Sequence, residues 1–118
     1  MAEVIRAESD TDHRYRITRT QRGFLLSSTR KSEFGLLMGP SEWLYKTREA
    51  AEAGLDLIVL MNAWWGAINR GYPVGDLPER CEKASAAHAS IVGALRDQPL
   101  IGREVRELRE HEDDAIDG

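Results

Sequence analysis

Apolar and polar residues alternate near the start of the chain, and this alternation predicts a β-hairpin. An extended strand over His13–Thr20 would place Tyr15 and Ile17 on one side and Arg14, Arg16 and Thr18 on the other. The alternation breaks at Gly23, and a glycine there can adopt the positive φ of a short loop. It resumes over Phe24–Thr29, so residues 13–32 are expected to form two antiparallel strands.

A third strand is expected at Phe34–Met38, where the apolar residues stop at Gly39-Pro40. Beyond it, Trp43 and Tyr45 alternate again. This short stretch fits either a fourth strand or a helical turn capped by Ser41, and the pattern does not distinguish the two.

The uncharged run Leu57–Asn69 predicts a helix that is covered on more than one side. Thr47 is a suitable N-cap and Gly71 a suitable end, so the first helix is expected between them. Gly54 and Gly66 within it indicate close packing or a kink, because glycine costs a helix about 1 kcal/mol relative to alanine.

Trp64 and Trp65 are adjacent in this run. Adjacent residues on a helix point about 100° apart, so the two indoles need different neighbours. If other elements cover the helix on both sides, the pair belongs to the core and at least one indole is fully buried. Otherwise the pair is expected in the interface of a homodimer.

Two more helices are predicted in the second half of the chain. Asp76 and Glu79 have the spacing of a capping box, which predicts a second helix over about Leu77–Arg96. A third is expected over about Ile101–His111, where apolar residues recur at positions i, i+4 and i+7.

The element order β-β-β-α-α-α predicts an α+β fold. A small antiparallel meander of three strands, with a short fourth left open, would pack on the long first helix. The two later helices would cover that helix from its other side. The ordered domain is expected over residues 13–111, between a flexible arm at 1–12 and an acidic tail at 112–118.

Charge is distributed unevenly along the chain. The 118 residues carry a net charge of −4, which argues against general binding to polyanions. Residues 1–48 hold nine Lys or Arg against six Asp or Glu, whereas residues 49–118 hold seven against fourteen. The hairpin 13–32 contains no acid. Its candidate partner-binding residues are Arg14, Arg16, Arg22, Arg30 and Lys31.

The sequence contains no signal for export or membrane insertion. Its N-terminus lacks the apolar segment of a signal peptide, and the uncharged run of 13 residues is shorter than the roughly 20 that span a bilayer. Cys81 is the only cysteine, which excludes an internal disulfide and fits a reducing compartment. We therefore expect a cytoplasmic protein of bacterial or phage type.

No motif for catalysis, metal or cofactor binding is present, so none of the three is expected. Cys81 and His88 share a helix face but lie two turns apart, about 10 Å, which is too far for a chelating pair. The acids of the later helices stand at charge-paired spacings typical of solvated faces.

These observations favour a small non-catalytic protein that binds a protein or nucleoprotein partner. Its size and acidity are typical of inhibitors, immunity proteins, antitoxins and phage anti-defence proteins. The alternative is a DNA- or RNA-binding protein that uses the basic hairpin 13–32, since such a ribbon can lie along phosphates or enter a groove.

Overall fold

Five strands form one antiparallel sheet in the computed structural model, which describes residues 3–32 and 36–108. In chain order the elements are β1 (Glu3–Ser9), β2 (His13–Thr20), β3 (Gly23–Lys31), β4 (Leu37–Tyr45), α1 (Arg48–Arg70), α2 (Leu77–Leu95), β5 (Leu100–Ile101) and a short helix α3 (103–108). The strands lie side by side in the same order as in the chain. The predicted α+β class is confirmed, but the sheet has five strands where three or four were expected.

The predicted hairpin is present. β2 and β3 pair in unbroken register from Thr20 opposite Gly23 to His13 opposite Arg30. Gly23 has φ 139°, and a Cβ there would lie 2.2 Å from the carbonyl oxygen of Tyr45 on the neighbouring strand β4. The hairpin therefore needs glycine both for its backbone angle and for the approach of β4.

Residues 1–12 were expected to form a flexible arm, and that prediction is wrong for the described part. Glu3–Ser9 is strand β1, which pairs with β2 along the edge of the sheet. A register shift between Val4 and Arg6 lets Ile5 pack against the core. The strand was missed because backbone pairing and two ion pairs hold it, and neither leaves an apolar pattern in the sequence. Arg6 pairs with Asp56 of α1 at 2.8 Å, and Glu3 pairs with Arg19 of β2 at 3.9 Å.

The third and fourth predicted strands are one continuous strand. β4 runs from Leu37 to Tyr45 through Gly39-Pro40, which was expected to end a strand. The ladder accommodates the proline through a register shift opposite Thr29, where the missing N–H breaks no regular pairing. Trp43 therefore lies in a strand, which resolves the choice between strand and helical turn, and Phe34 falls outside the described residues.

Helix α1 begins and ends where the sequence predicts. The Thr47 hydroxyl accepts a hydrogen bond from the Ala50 N–H at 3.3 Å, and Gly71 ends the helix with φ 70°. Gly54 marks close packing, since a Cβ there would lie 2.5 Å from the Tyr45 hydroxyl. Gly66 has no neighbour within 4 Å of that position in the described structure.

The core lies between the sheet and α1. It is built from buried side chains of β2, β3, β4, α1 and α2, namely Tyr15, Ile17, Leu26, Tyr45, Ala50, Ala51, Leu55 and Val92. Small residues at the start of α1 let the helix lie close to the sheet. Ion pairs from Asp56 to Arg6 and from Arg70 to Asp12 hold the rest of α1 against β1 and the β1–β2 loop.

Helix α2 packs on α1, as expected, but its predicted capping box is absent. Asp76 makes no side-chain hydrogen bond to the first turn, and its backbone angles are not those of an extended cap. Proline in the first turn removes one of the N–H groups that a cap would satisfy. The helix ends at Leu95 and is followed by Asp97, which is fully buried.

The last predicted helix begins later than expected and lies elsewhere. Leu100–Ile101 forms β5 against β4, and the helical turns cover 103–108; residues 109–118, with the predicted acidic tail, fall outside the described residues. Gly102, with φ 55°, directs the chain beneath the sheet. Val105 is consequently buried on the sheet face opposite α1, so α3 does not cover α1 as predicted.

Within residues 3–32 and 36–108, this placement leaves one side of α1 uncovered. Trp65 is 63% exposed and Trp64 is half-buried, so the prediction that at least one indole is fully buried is wrong. The sheet and α2 each cover one side of the helix, and α3 is not available for the remaining side. Trp65 is thus a surface residue of this chain and does not belong to its core.

Candidate partner-binding face of the sheet

The sheet has two faces of different chemistry. Side chains alternate between the faces along a strand, and residues paired across antiparallel strands share a face. Tyr15, Ile17 and Leu26 point toward α1 and are buried in the core. The opposite side, which we call the open face, carries three cross-strand rows of side chains. Its members are Val4, Ala7, Ser9, Arg14, Arg16, Thr18, Leu25, Ser27, Thr29, Glu42, Leu44 and Leu100.

One row of the open face is mainly apolar. Val4 of β1 pairs with Thr18, which pairs with Leu25 of β3, and the row continues through Leu44 to Leu100 of β5. Val4 is 52% exposed at one end and Leu100 is 38% exposed at the other. The row therefore crosses the whole width of the sheet, with exposed side chains at its two ends and half-buried leucines beside α3 between them.

The next two rows are basic and rich in hydroxyl groups. Arg16 is flanked by Ala7 on β1 and by Ser27 on β3, and Arg14 pairs with Thr29. Both arginines are exposed, and because they are two residues apart on β2 their Cα atoms lie about 7 Å apart on the same face. Two guanidinium groups thus stand next to the apolar row.

The structure brings together four of the five basic residues predicted to bind a partner. Arg14 and Arg16 lie on the open face, Arg22 lines the groove on that face, and strand alternation places Lys31 on the same side as Thr29. Arg30 pairs with His13 and so belongs to the face that carries α1. Four of the five candidate residues therefore lie on the open face or line its groove, and Arg30 does not.

A groove of about 330 Å³ runs along the open face. The strand side chains form its floor, Arg16 and Arg22 lie at its polar side, and Val105 and Leu108 of α3 form its apolar wall. A second depression of about 480 Å³ adjoins it around Arg14 and Ser9. Among the described residues that line the first groove, Glu42 is the one acidic side chain, and it is only 7% exposed.

None of the described side chains on the open face is aromatic. Phe24 and Trp43 pack against the core on the other face, as do the buried tyrosines. Aromatic platforms on which unpaired bases stack are a main source of affinity in single-stranded nucleic-acid sites. The open face lacks this feature in the part of the chain that the structure describes.

The buried titratable groups belong to the packing between layers. The Tyr45 hydroxyl and His88 Nε2 are 2.8 Å apart, which joins β4 to α2. Burial raises the pKa of Tyr45 to about 12, and burial lowers the pKa of His88. Tyr15 accepts a hydrogen bond from Asn62 at 3.0 Å, and burial raises its pKa to about 12. Each of these contacts ties the sheet to a helix.

Across 3–32 and 36–108, no three His, Cys, Asp or Glu side chains lie close enough together to hold a metal ion. Cys81 is a free, buried thiol on α2. Among the helices in those same ranges, none has both the length and the apolar character needed to cross a bilayer.

Comparison with known proteins gives no match: no family model, curated protein or solved structure is similar to this chain. The open face and the exposed side of α1 are the two surfaces of this chain that a partner could contact.

Proposed function

We propose that this protein is a non-catalytic inhibitor or regulator that binds an acidic, partly apolar segment of a protein or nucleoprotein partner on its open face. The observation that carries this proposal is the groove in which arginines adjoin a row of leucines. Such a surface offers both charge and apolar contact to one ligand.

The two kinds of side chain would have separate roles in binding. The guanidinium groups of Arg14 and Arg16 can each hold a carboxylate through two parallel hydrogen bonds, which gives orientation as well as attraction. Leu25 and Leu44 would accept the apolar side chains of the same segment, and burying those side chains supplies most of the affinity. An extended peptide that turns one apolar and then two acidic side chains toward the sheet, at every second position, matches the three rows.

Direct DNA or RNA binding is the second candidate, because Arg14, Arg16 and Lys31 share one face. Two observations favour a protein partner instead. The described open face has no aromatic side chain for base stacking. Residues 49–118 carry fourteen acids against seven bases, and that charge would repel a duplex.

The proposal can be tested by fluorescence anisotropy with a labelled peptide that carries Leu, Glu and Glu at every second position and Ser between them, using the peptide with Gln in place of Glu as the uncharged probe. We expect the Glu peptide to bind the full chain and the double variant Arg14→Glu/Arg16→Glu to weaken it about tenfold or more. The matched control is Arg80→Glu/Lys83→Glu, which reverses two exposed charges on α2. That control should change affinity by less than about twofold, because exposed charges beyond a Debye length are screened.

Labelled duplex and single-stranded DNA are titrated in parallel at physiological salt. Equal loss of peptide binding in both charge-reversal variants would overturn the proposed site. Submicromolar DNA binding that weakens steeply with salt would indicate that the partner is a nucleic acid and not a protein. Release of counterions from phosphates produces such a dependence of affinity on salt concentration.

A further inference from the structure

Helix α1 carries an apolar stripe that nothing in the described structure covers. Met61, Trp65 and Ile68 recur at i, i+4 and i+7 and therefore lie on one side of the helix. Met61 and Ile68 are 50% exposed and Trp65 is 63% exposed.

The stripe is electrically neutral. It lies within Leu57–Asn69, which contains no ionisable side chain. The charges at the two ends of this run are already paired within the chain, Asp56 with Arg6 at 2.8 Å and Arg70 with Asp12. A partner of a particular charge would find no complementary group on the stripe, whereas a second copy of the same stripe would meet no like charge.

The spacing of the stripe also suits a two-fold axis. In a two-fold interface the same patch is used by both copies, so residue i meets residue j and residue j meets residue i. An axis through the Trp65 region, with the two helices antiparallel, sets Met61 of one copy against Ile68 of the other. Antiparallel helices also oppose their dipoles, which is favourable.

The exposed area is sufficient for the centre of such an interface. A fully buried tryptophan contributes up to about 250 Å², and Trp65 exposes 63% of its surface. With the two half-exposed aliphatic side chains, the stripe offers roughly 200–300 Å² of apolar surface. A standard interface buries about 800 Å² per partner, so the stripe forms its apolar centre and the flanking helix surface forms the rim.

We infer that the exposed stripe Met61, Trp65 and Ile68 of α1 is the interface of a symmetric homodimer. This inference is independent of the proposed function, because α1 lies on the sheet face opposite the open face. The dimer presents two open faces, one from each copy. A partner with two acidic segments would then be held at both faces with greater avidity than at one.

Sedimentation velocity of the full chain tests the dimer. Between about 1 and about 200 µM, the weight-average mass should rise from that of the 13.3 kDa chain toward twice that value, since the dimer population follows concentration. Trp65→Arg should remain monomeric over the whole range. Val4→Arg, which places the same charge on another half-exposed apolar residue, should dimerise like the parent.

Circular dichroism establishes that each variant is folded, and Ile68→Arg provides a second disruption from the other end of the stripe. If the unmodified protein stays monomeric at the highest concentration, the inference is overturned and the stripe is the binding surface for a different protein. Dimerisation of folded Trp65→Arg and Ile68→Arg at the parent's concentration also overturns it. Arg14→Glu/Arg16→Glu should leave the weight-average mass unchanged. The dimer and the open-face binding site can therefore be disproved independently of each other.

Discussion

Asp97 accepts two hydrogen bonds from Thr47, one from the backbone N–H and one from Oγ1, both at 2.8 Å. The Lys46 N–H donates to the other carboxylate oxygen of Asp97 at 2.7 Å. Asp97 follows the end of α2 and is fully buried, while Thr47 is the N-cap of α1. One side chain thus joins the end of the second helix to the start of the first, where the helix dipole favours a negative charge.

Asp97→Asn should lower the free energy of unfolding by about 2–3 kcal/mol, because an amide N–H₂ would face buried donors that then lack an acceptor. Urea denaturation followed by circular dichroism measures this change. Asp76→Asn is the matched control, since Asp76 makes no side-chain cap bond and its replacement should cost less than about 0.5 kcal/mol. Equal effects of the two substitutions would refute the role assigned to Asp97.

Gly54→Ala and Gly66→Ala should have opposite effects on stability. The new methyl group at residue 54 would lie 2.5 Å from the Tyr45 hydroxyl and must displace it, at a cost of about 1–3 kcal/mol. At residue 66 nothing lies within 4 Å, so alanine should stabilise the helix by up to about 1 kcal/mol. Thermal melts at low protein concentration measure whether each substitution raises or lowers stability. A Gly66→Ala protein less stable than the parent would contradict the open surroundings of that position.

Stability should decrease in mild acid because of His88. Burial lowers its pKa in the folded chain below the ordinary value of 6.5, so between the two values the unfolded chain binds more protons. The free energy of unfolding then falls as pH drops below about 6.5. Urea titrations from pH 7.5 downward should show a steeper loss for the parent than for His88→Gln. Parallel profiles would show that His88 does not contribute.

Two tyrosines should resist ionisation in the folded protein. Burial raises the pKa of Tyr15 and of Tyr45 to about 12 each, from an ordinary value of 10.0. Their neutral form is favoured by folding, so stability is retained below about pH 10 and is lost as pH rises toward 12. Phenolate absorbance during an alkaline titration measures the effect. Tyr15→Phe and Tyr45→Phe should each remove one late-titrating group, and an unchanged titration in either would contradict its assignment.

The sequence predicts those elements whose signals are local. Thr47 and Gly71 mark the bounds of α1 because capping depends only on nearby backbone groups. The hairpin is predicted for the same reason, since alternation and a turn glycine lie within a few residues of each other. Strand β1 was missed because its neighbours hold it through backbone pairing, which depends little on which side chains are present.

Contacts that join distant parts of the chain could not be read from the pattern. Asp97 appears in the sequence as one more acid, and its role depends on Thr47, which lies 50 residues away. Nor does the sequence indicate which side of the sheet α3 covers, and that placement decides whether Trp65 is buried.

The candidate site was predicted in part. Period-two alternation correctly groups Arg14 with Arg16, and the same alternation counted from Leu26 places Arg30 on the opposite face. The apolar row through Leu25 and Leu44 was missed because it forms only when β3 and β4 pair in the observed register. The combination of arginines with leucines is therefore a property of the folded sheet.

Because Cys81 is buried, the reactivity of its thiol reports on local opening of the folded protein. It is the only cysteine, it is 6% exposed, and it lies in α2, which packs on α1. A thiol reagent can reach it only when the structure around the first turns of α2 opens. The rate of its alkylation under native conditions therefore measures how often this region opens, without any added label.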